Sequence, residues 1–304
     1  MAKSILVVGS VALDSVKTSM GETDHALGGS AVYFSLAASE FAPVRVVGVV
    51  GDDFPASGRK LLSGKGIALD GLETVAGGKT FHWAGTYDKD FRVATTLKTE
   101  LNVFQSFRPK LGEKEKNCEI LFLANIDPDL QLSVLSQMRA PKLVACDTMN
   151  FWISGKKASL VRLLKHVDIF FINEEEIRQL TGEYNIIKAG RKTMKMGPQA
   201  LVVKKGDCGA MLFFKDSIVP VPACAVEDVK DPTGAGDSFG GGFMGSLAAA
   251  RRWDTLPELT KAMFYGTVIA SFNVESFSVK RLGSLSRAEL HSRFRKFTGL
   301  LKVS

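Results

Sequence analysis

The chain has 304 residues, of which 45% are hydrophobic and 23% are charged, a composition typical of a globular protein with a buried core. Its 39 basic residues outnumber its 32 acidic residues and give a formal net charge of +7, but no nucleic-acid-binding motif accompanies them. The four cysteines are scattered, which argues against a zinc knuckle and a disulfide framework. No apolar run is long enough to span a bilayer, and the N-terminus resembles a strand more than a signal peptide. We therefore expect a cytoplasmic protein that binds neither nucleic acid nor membrane.

Strand-like and helix-like segments alternate along most of the chain. The predicted buried strands are Ser4–Gly9, Arg45–Val50, Glu119–Ala124, Lys142–Cys146, Asp168–Ile172 and Ala200–Lys204. The predicted helices between them are Ser30–Phe41, Ser57–Lys65, Leu130–Met138, Lys156–Lys165, Glu174–Thr181 and Lys188–Met196. This alternation predicts an α/β fold of three layers, α/β/α, around a doubly wound and mostly parallel sheet.

Two segments depart from this alternation. An antiparallel pair of strands is predicted where a polar turn separates two short apolar runs, Ala210–Phe214 and Ser217–Val221. The segment 79–104 has strand periodicity without an intervening helix, and with the segment 11–27 it predicts a small β lid. The tail from Phe264 is mainly helical. No repeat or linker divides the chain, so we expect one domain over residues 1–304.

The most informative motif is the run DPTGAGDSF at residues 231–239, which opens an apolar helix. Gly234, Ala235 and Gly236 offer backbone N–H groups at a helix start, where the helix dipole also favours an anion such as a phosphate. Asp237 follows directly and is placed to accept a proton from an attacking hydroxyl. An anion hole beside a base predicts phosphoryl transfer. The simpler alternative is a glycine-rich turn with an aspartate that caps the helix.

Further motifs occur in a fixed order: Asp14 after the first strand, Gly28-Gly29 before a helix, GVVGDD at 48–53 and NEEE at 173–176. Together with the 231–239 run, they make nearly the whole chain resemble the ribokinase-like carbohydrate kinases of the PfkB family. The resemblance implies a ribokinase-like fold. It also implies transfer of the γ-phosphoryl group of ATP to a hydroxyl, often a hydroxymethyl, of a sugar or nucleoside.

The resemblance also implies roles for individual residues. Asp237 is the general base, and Gly234, Ala235 and Gly236 form the anion hole. The remaining implied residues bind the acceptor (Asp14, Gly28, Gly29, Ser30), ATP (Asn173, Lys204, Gly206, Gly266) or, through water, Mg²⁺ (Glu176).

Three departures from the family pattern leave questions open. Tyr33 and its neighbours stand where sugar-phosphorylating relatives commonly carry Lys and Asn, so the acceptor is either a sugar or a nucleoside. Lys204 replaces a threonine beside the nucleotide. Phe277-Ser278 replaces Gly-Ala in a loop that binds a monovalent cation in some relatives, which leaves that cation undecided.

The predicted lid is rich in aromatic residues: Phe81, Trp83, Tyr87 and Phe91. They are suited to stacking on a nucleobase or a sugar, or simply to packing of the strands. Because such strands could also pack against a second copy of the chain, we expect either a monomer or a homodimer formed through the lid. A hydroxymethyl kinase of vitamin precursors and a non-catalytic ligand sensor remain alternatives. An NAD-binding enzyme is disfavoured because the first strand lacks GxGxxG.

Overall fold

The computed structural model describes residues 2–91 and 94–301, so positions 92 and 93 of the predicted lid and the extreme ends of the predicted domain lie outside it. Within these ranges a nine-stranded sheet forms the centre. Its strands, in spatial order, are β13 (Ser217–Val221), β12 (Ala210–Phe214), β11 (Ala200–Lys204), β10 (Ile169–Asn173), β9 (Leu143–Cys146), β8 (Ile120–Leu123), β1 (Ile5–Val8), β4 (Val44–Gly51) and β5 (Ala68–Val75). The strands from β11 to β5 are parallel, and β12 and β13 complete the sheet as the predicted antiparallel pair.

Helices cover both faces of this sheet. They are α1 (Ser30–Ser39), α2 (Ala56–Gly64), α3 (Glu113–Lys116), α4 (Pro128–Gln137), α5 (Asn150–Gly155), α6 (Lys157–Leu164), α7 (Glu174–Thr181), α8 (Ile186–Met194), α9 (Ala235–Ala249), α10 (Leu256–Asn273), α11 (Lys280–Ser284) and α12 (Arg287–Leu300). Alternate residues of β1 pack into two hydrophobic cores, one on each face of the sheet. Ile5 and Val7 share a core with α1, α9 and α10. Leu6 and Val8 share the other with α4, α6 and α7. The predicted three-layer α/β/α architecture is confirmed.

The sequence prediction missed strand β5. It lies at the sheet edge beside β4, and most of its side chains are exposed or half-buried. A strand with little burial lacks the continuous apolar run that marked the central strands. The missed strand is therefore at the edge of the sheet, and the predicted central strands are unaffected.

Strand order reverses at β1, which lies between β8 and β4. In open α/β sheets, ligands bind beyond the carboxyl ends of the strands at such a reversal. The chain continues from the carboxyl end of β1 to Asp14. Three other candidate residues lie at or next to the carboxyl ends of their strands: Asp147 at β9, Asn173 at β10 and Lys204 at β11. Because these strands are parallel, the fold brings these residues to one edge.

The predicted lid is a separate four-stranded sheet in the order β3 (Gly21–Gly28), β2 (Ala12–Thr18), β6 (Phe81–Tyr87) and β7 (Ala94–Glu100). It is docked on the main body by hydrogen bonds between its strands and the region of the 231–239 motif. The Thr18 hydroxyl donates to the carbonyl oxygen of Lys230 at 2.9 Å, and the Ser278 hydroxyl donates to that of Leu27 at 2.6 Å. The lid therefore lies over the carboxyl edge of the main sheet.

Close packing of α1 on α9 depends on glycine. A β-carbon on Gly241 of α9 would overlap the Phe34 carbonyl oxygen and lie 2.7 Å from the β-carbon of Ala37. We expect Gly241→Ala to lower the free energy of unfolding by about 1–3 kcal/mol, since backbone cannot yield as a flexible side chain can. Gly64→Ala is the matched control, because nothing lies within 4 Å of the added methyl group. Equal denaturant midpoints for the two variants would contradict this account.

Candidate active site

The 231–239 motif forms a tight turn that opens α9. Both carboxylate oxygens of Asp231 accept backbone hydrogen bonds, from the N–H of Thr233 at 2.9 Å and from that of Ser278 at 3.2 Å. Gly234 is the N-cap residue and has φ 74°, a left-handed conformation that favours glycine. Among the described residues, no side chain caps this helix start, so the simple helix-cap interpretation of the motif does not describe it. The Ala235 N–H donates to the Pro232 carbonyl oxygen at 3.1 Å, so the predicted anion hole depends on the N–H groups of the two glycines on either side of it.

Asp237 lies in the first turn of α9, where it is partly buried. Burial, and after it the negative charge of Asp147, raise the pKa of its carboxyl group, while the positive charge of Lys204 opposes the rise, and the resulting pKa is about 7. A carboxyl group with a pKa near neutrality is well matched to accept a proton from a substrate hydroxyl. The structure thus places the predicted base directly beside the predicted anion hole.

Lys204 and Asp147 form an ion pair at the edge of the anion hole. The Lys204 ammonium lies 2.5 Å from a carboxylate oxygen of Asp147 and 3.2 Å from the position of a β-carbon built on Gly236. Burial lowers the pKa of Lys204, but the charges of Asp147 and Glu176 outweigh burial and hold it above its usual value. A permanently charged lysine therefore stands beside the predicted phosphate position.

Asn173 and Glu176 form a capping box at the start of α7. The Asn173 side chain accepts from the N–H of Glu176 at 2.8 Å, and the Glu176 carboxylate accepts from the N–H of Asn173 at 2.8 Å. Glu176 also interacts with the charged cluster. Burial raises the pKa of its carboxyl group, the charge of Lys204 lowers it and that of Asp147 raises it, and the resulting pKa is about 7. The two residues thus have a structural role whether or not they also serve a nucleotide.

Asp14, on strand β2 of the lid, is the predicted acceptor-binding residue and is 5% exposed. Burial raises the pKa of its carboxyl group, the hydrogen bond from the Gly29 N–H lowers it and the charges of Asp231 and Asp237 raise it, with a net pKa of about 7. Gly28 gives this carboxylate room, because a β-carbon there would overlap it. The carboxyl groups of the 231–239 motif are therefore close enough to Asp14 to raise its pKa.

Ser30, Gly206 and Gly266 have less direct placements. The Ser30 hydroxyl lies 3.0 Å from that of Ser10, so it fastens α1 to the end of β1. A β-carbon on Gly266 would lie 2.9 Å from the Phe239 carbonyl oxygen, which indicates close packing of α10 on α9. Gly206 has φ 57° and open space around it. Ligand contacts of these three residues stay predictions.

Tyr33 is a site residue whose role the sequence did not reveal. Its ring occupies the space beside Gly234, where a β-carbon would overlap it, and the side chain is 1% exposed. Its hydroxyl has no hydrogen-bond partner within the described part of the chain. Burial and then the charges of Asp14, Asp231 and Asp237 hold the pKa of Tyr33 well above its usual value. A protonated, unpartnered donor is thus held among three carboxyl groups.

The four lid aromatics have different environments. Phe81 stacks on Phe104 with ring centroids 5.4 Å apart, which is strand packing. Tyr87 accepts a hydrogen bond from the Thr233 hydroxyl at 3.3 Å, and burial raises the pKa of Tyr87 to about 12. Phe91 lies in the turn after β6 with φ 56°.

Trp83 stands directly across from Asp14 in the β2–β6 register, so both side chains leave the same face of the lid. Its six-membered ring lies over Gly85, where a β-carbon would overlap it, and its indole N–H donates to the Thr96 hydroxyl at 3.2 Å. Trp83 is therefore a flat, fixed aromatic surface on the same face of the lid as Asp14, directed toward β7.

Comparison with protein families matches residues 2–282 to the model described as "pfkB family carbohydrate kinase". The chain belongs to the pfkB family of carbohydrate kinases. It is accordingly an ATP-dependent phosphotransferase that acts on a sugar or nucleoside hydroxyl, which confirms the activity predicted from the sequence. No helix among the described residues has the length and hydropathy to cross a bilayer.

Relatives of this pfkB protein include kinases of both acceptor classes. It is 27% identical over 257 residues to the cytidine kinase of Thermococcus kodakarensis, covering 81% of this chain and 89% of that protein. It superposes on the Burkholderia thailandensis nucleoside kinase in complex with ADP-inosine with a TM-score of 0.81 at 17% identity, covering 97% and 96% of the two chains. The Arabidopsis thaliana ribokinase complexed with ribose and ATP gives 0.78 at 20% identity, covering 97% and 99%. These superpositions confirm the predicted ribokinase-like fold.

Proposed function

We propose that this pfkB kinase phosphorylates a nucleoside on the hydroxymethyl group of its sugar. The observation that carries the proposal is the pairing of Trp83 with Asp14 on one face of the lid. A carboxylate accepts hydrogen bonds from vicinal ribose hydroxyls, and a fixed indole stacks on a planar base. The names of the cytidine and nucleoside kinases to which the chain is similar support the same acceptor.

In this mechanism Asp237 removes the proton of the attacking hydroxyl. Phosphoryl transfer depends mainly on alignment and charge neutralisation, so the residues around the phosphate carry most of the catalytic effect. The backbone N–H groups of Gly234 and Gly236 stabilise the transferring group, and Lys204 contributes a full positive charge to the same place. The Tyr33 hydroxyl then finds its missing partner on the acceptor or on the transferred phosphoryl group.

The charged cluster also suits Mg²⁺. Asp147, Glu176 and Asp237 supply three carboxyl groups against the single ammonium group of Lys204, and Glu176 and Asp237 have raised pKa values. An excess of oxygen donors over cations favours a hard divalent ion, which Glu176 would hold through water. Bound there, Mg²⁺ would neutralise phosphate charge. ATP binding by Asn173 rests on the family resemblance alone.

The test is a panel of acceptors assayed for ADP release with ATP and Mg²⁺. We expect nucleosides to give kcat/KM values at least tenfold above those of ribose and fructose. A preference for free sugars would overturn the nucleoside assignment while leaving the kinase activity intact. Release of ADP with neither class, with ATP still bound, would favour the ligand-sensor alternative.

Replacing Trp83 tests the stacking surface. We expect Trp83→Leu to raise the KM for the nucleoside about tenfold, because base–aromatic stacking is worth about 1–3 kcal/mol, while the KM for ATP changes little. Trp253→Leu is the matched control, since this indole donates to the Lys142 carbonyl oxygen on the main body. Equal effects of the two substitutions on nucleoside KM would contradict a stacking role.

A further inference from the structure

The lid carries a second polar cluster on the face opposite to Asp14. Successive side chains of a strand point to opposite faces, so Ser15 of β2 and His82 of β6 leave the face that Asp14 does not. The Ser15 hydroxyl lies 2.9 Å from Nε2 of His82 and 2.5 Å from a carboxylate oxygen of Asp24 of β3. The His25 ring stacks on that of His82, with centroids 4.4 Å apart and planes within 5°. Three strands thus meet in one cluster.

A β-bulge creates this arrangement. The β2–β3 register shifts between Asp14 and Val16, so that both Asp24 and His25 stand opposite the single residue Ser15. His25 has φ 46°, in the left-handed region, which is unfavourable for a residue with a β-carbon. The chain therefore holds two adjacent side chains of β3 against His82 in a conformation with an energetic cost, a pattern that is common at functional sites.

The donor atoms are close enough to share one ion. One ligand atom from each of Asp24, His25 and His82 lies within 4.8 Å of the others. Ligands of tetrahedral Zn²⁺ are about 3.3 Å apart, given Zn–N distances of about 2.0–2.1 Å. The lone pair of an imidazole nitrogen lies in the ring plane, so the His25 ring must turn out of its stack on His82 before both can bind one ion. Asp24 and His25 have side chains that are 79% and 58% exposed, which leaves room for that rotation.

A fourth residue orients the buried histidine. Nδ1 of His82 lies 3.0 Å from the Glu100 carboxylate on β7, which leaves Nε2 facing the other ligands. Histidines that bind metals nearly always engage a carboxylate or carbonyl through their second nitrogen in this way. Imidazole and carboxylate ligands together suit Zn²⁺ and its neighbours in the transition series better than Mg²⁺.

We propose that Asp24, His25 and His82 bind a divalent transition-metal ion, Zn²⁺ in the first place, on the outer face of the lid. Such an ion would link β3 to β6 across β2, on the face of the lid opposite to Asp14. Strand β3 continues into Gly28, so the ion would also stiffen the acceptor end of the cleft. The site depends on the lid alone and is independent of which acceptor the kinase uses.

Titration of the metal-free full-length protein with Co²⁺ tests this site. We expect one equivalent of Co²⁺ to give visible d–d absorption without the near-ultraviolet band of a cysteine ligand, and Zn²⁺ to displace it while Mg²⁺ does not. Asp24→Asn and His25→Gln should each weaken binding at least tenfold, and Glu100→Gln about tenfold through its effect on His82. The melting temperature should rise with Zn²⁺ only where the site is intact.

His166→Gln and His291→Gln are the matched controls, because they change the other two of the four histidines. Both should bind Co²⁺ like the wild type. The proposal is overturned if the wild type takes up no stoichiometric Co²⁺, or if Asp24→Asn and His25→Gln bind it as tightly as the controls. These two substitutions lie at exposed positions, so metal-free melting temperatures close to that of the wild type will separate loss of the ion from loss of the fold.

Discussion

Asp237→Asn is expected to lower kcat at least a thousandfold while leaving ATP binding nearly intact. The amide keeps the shape of the side chain but cannot accept the proton of the attacking hydroxyl, and the variant also loses the charge that aligns that hydroxyl. The measurement is steady-state ADP release at saturating acceptor, with nucleotide affinity determined separately. Asp216→Asn, in the exposed turn between β12 and β13, is the matched control and should retain full activity. A variant at 237 with more than a tenth of wild-type kcat would remove Asp237 from the mechanism.

The pH dependence of the wild type follows from the same carboxyl group. Because burial raises the pKa of Asp237 to about 7, this base is protonated and inactive in acid, so kcat/KM should fall as pH drops below about 7. Asp14 has a pKa of about 7 for a similar reason and will contribute to the same limb. A kcat/KM that stays constant from pH 8 down to pH 5 would contradict both assignments.

The free energy of unfolding should change with pH in the direction opposite to kcat/KM. The carboxyl groups of Asp14, Glu176 and Asp237 each have a folded-state pKa of about 7, above their unfolded values, so the folded protein binds protons more tightly. These groups therefore make the ligand-free protein less stable as pH rises from about 4 to about 7, and add no further change above that. Asp237→Asn removes one of them and should melt a few degrees higher than the wild type at pH 8, a gain of roughly 1 kcal/mol. Melting curves at pH 5 and pH 8 measure the difference.

The sequence was informative about the strands that are buried on both faces and about the order of the motifs. Central strands such as β10 are continuous apolar runs, and each is followed by a residue type that the site needs, as β10 is by Asn173 and Glu176. Parallel pairing then places those residues at one edge, which is a property of topology and needs no side-chain detail. Asp14 and Asp237 were assigned to one site by the family resemblance instead, because Asp14 lies in the lid and α9 follows the antiparallel strand β13.

Contacts between side chains that are distant in the sequence could not be predicted from the strand pattern. Asp147 and Lys204 leave β9 and β11, which are separated by β10, and their ion pair depends on rotamers that no local pattern encodes. The position of Tyr33 against Gly234 is also a matter of packing between α1 and α9. The lid cluster escaped prediction because a β-bulge, which the alternation of polar and apolar residues does not reveal, brings Asp24 and His25 together.

Lys204→Met is expected to be the most destabilising change in the site. It leaves the Asp147 carboxylate, whose side chain is only 3% exposed, without its ion-pair partner. Breaking such a buried pair costs about 3–5 kcal/mol. The substitution also removes the positive charge that lowers the pKa of Asp237, so the acid limb of kcat/KM should move to higher pH. The measurements are denaturant unfolding and the pH–rate profile, with Lys205→Met as the control at the adjacent lysine.

A second substitution separates the structural role of Lys204 from its role toward phosphate. In the double variant Asp147→Asn with Lys204→Met, position 147 no longer carries a buried charge without its ion-pair partner, so most of the lost stability should return. The affinity for ATP and the rate of transfer should stay reduced, about a hundredfold in kcat/KM for ATP, because the positive charge beside Gly236 is still missing. If the double variant regains both stability and activity, Lys204 serves only to neutralise Asp147. Recovery of stability without activity is the outcome expected of a lysine that neutralises the transferring phosphoryl group.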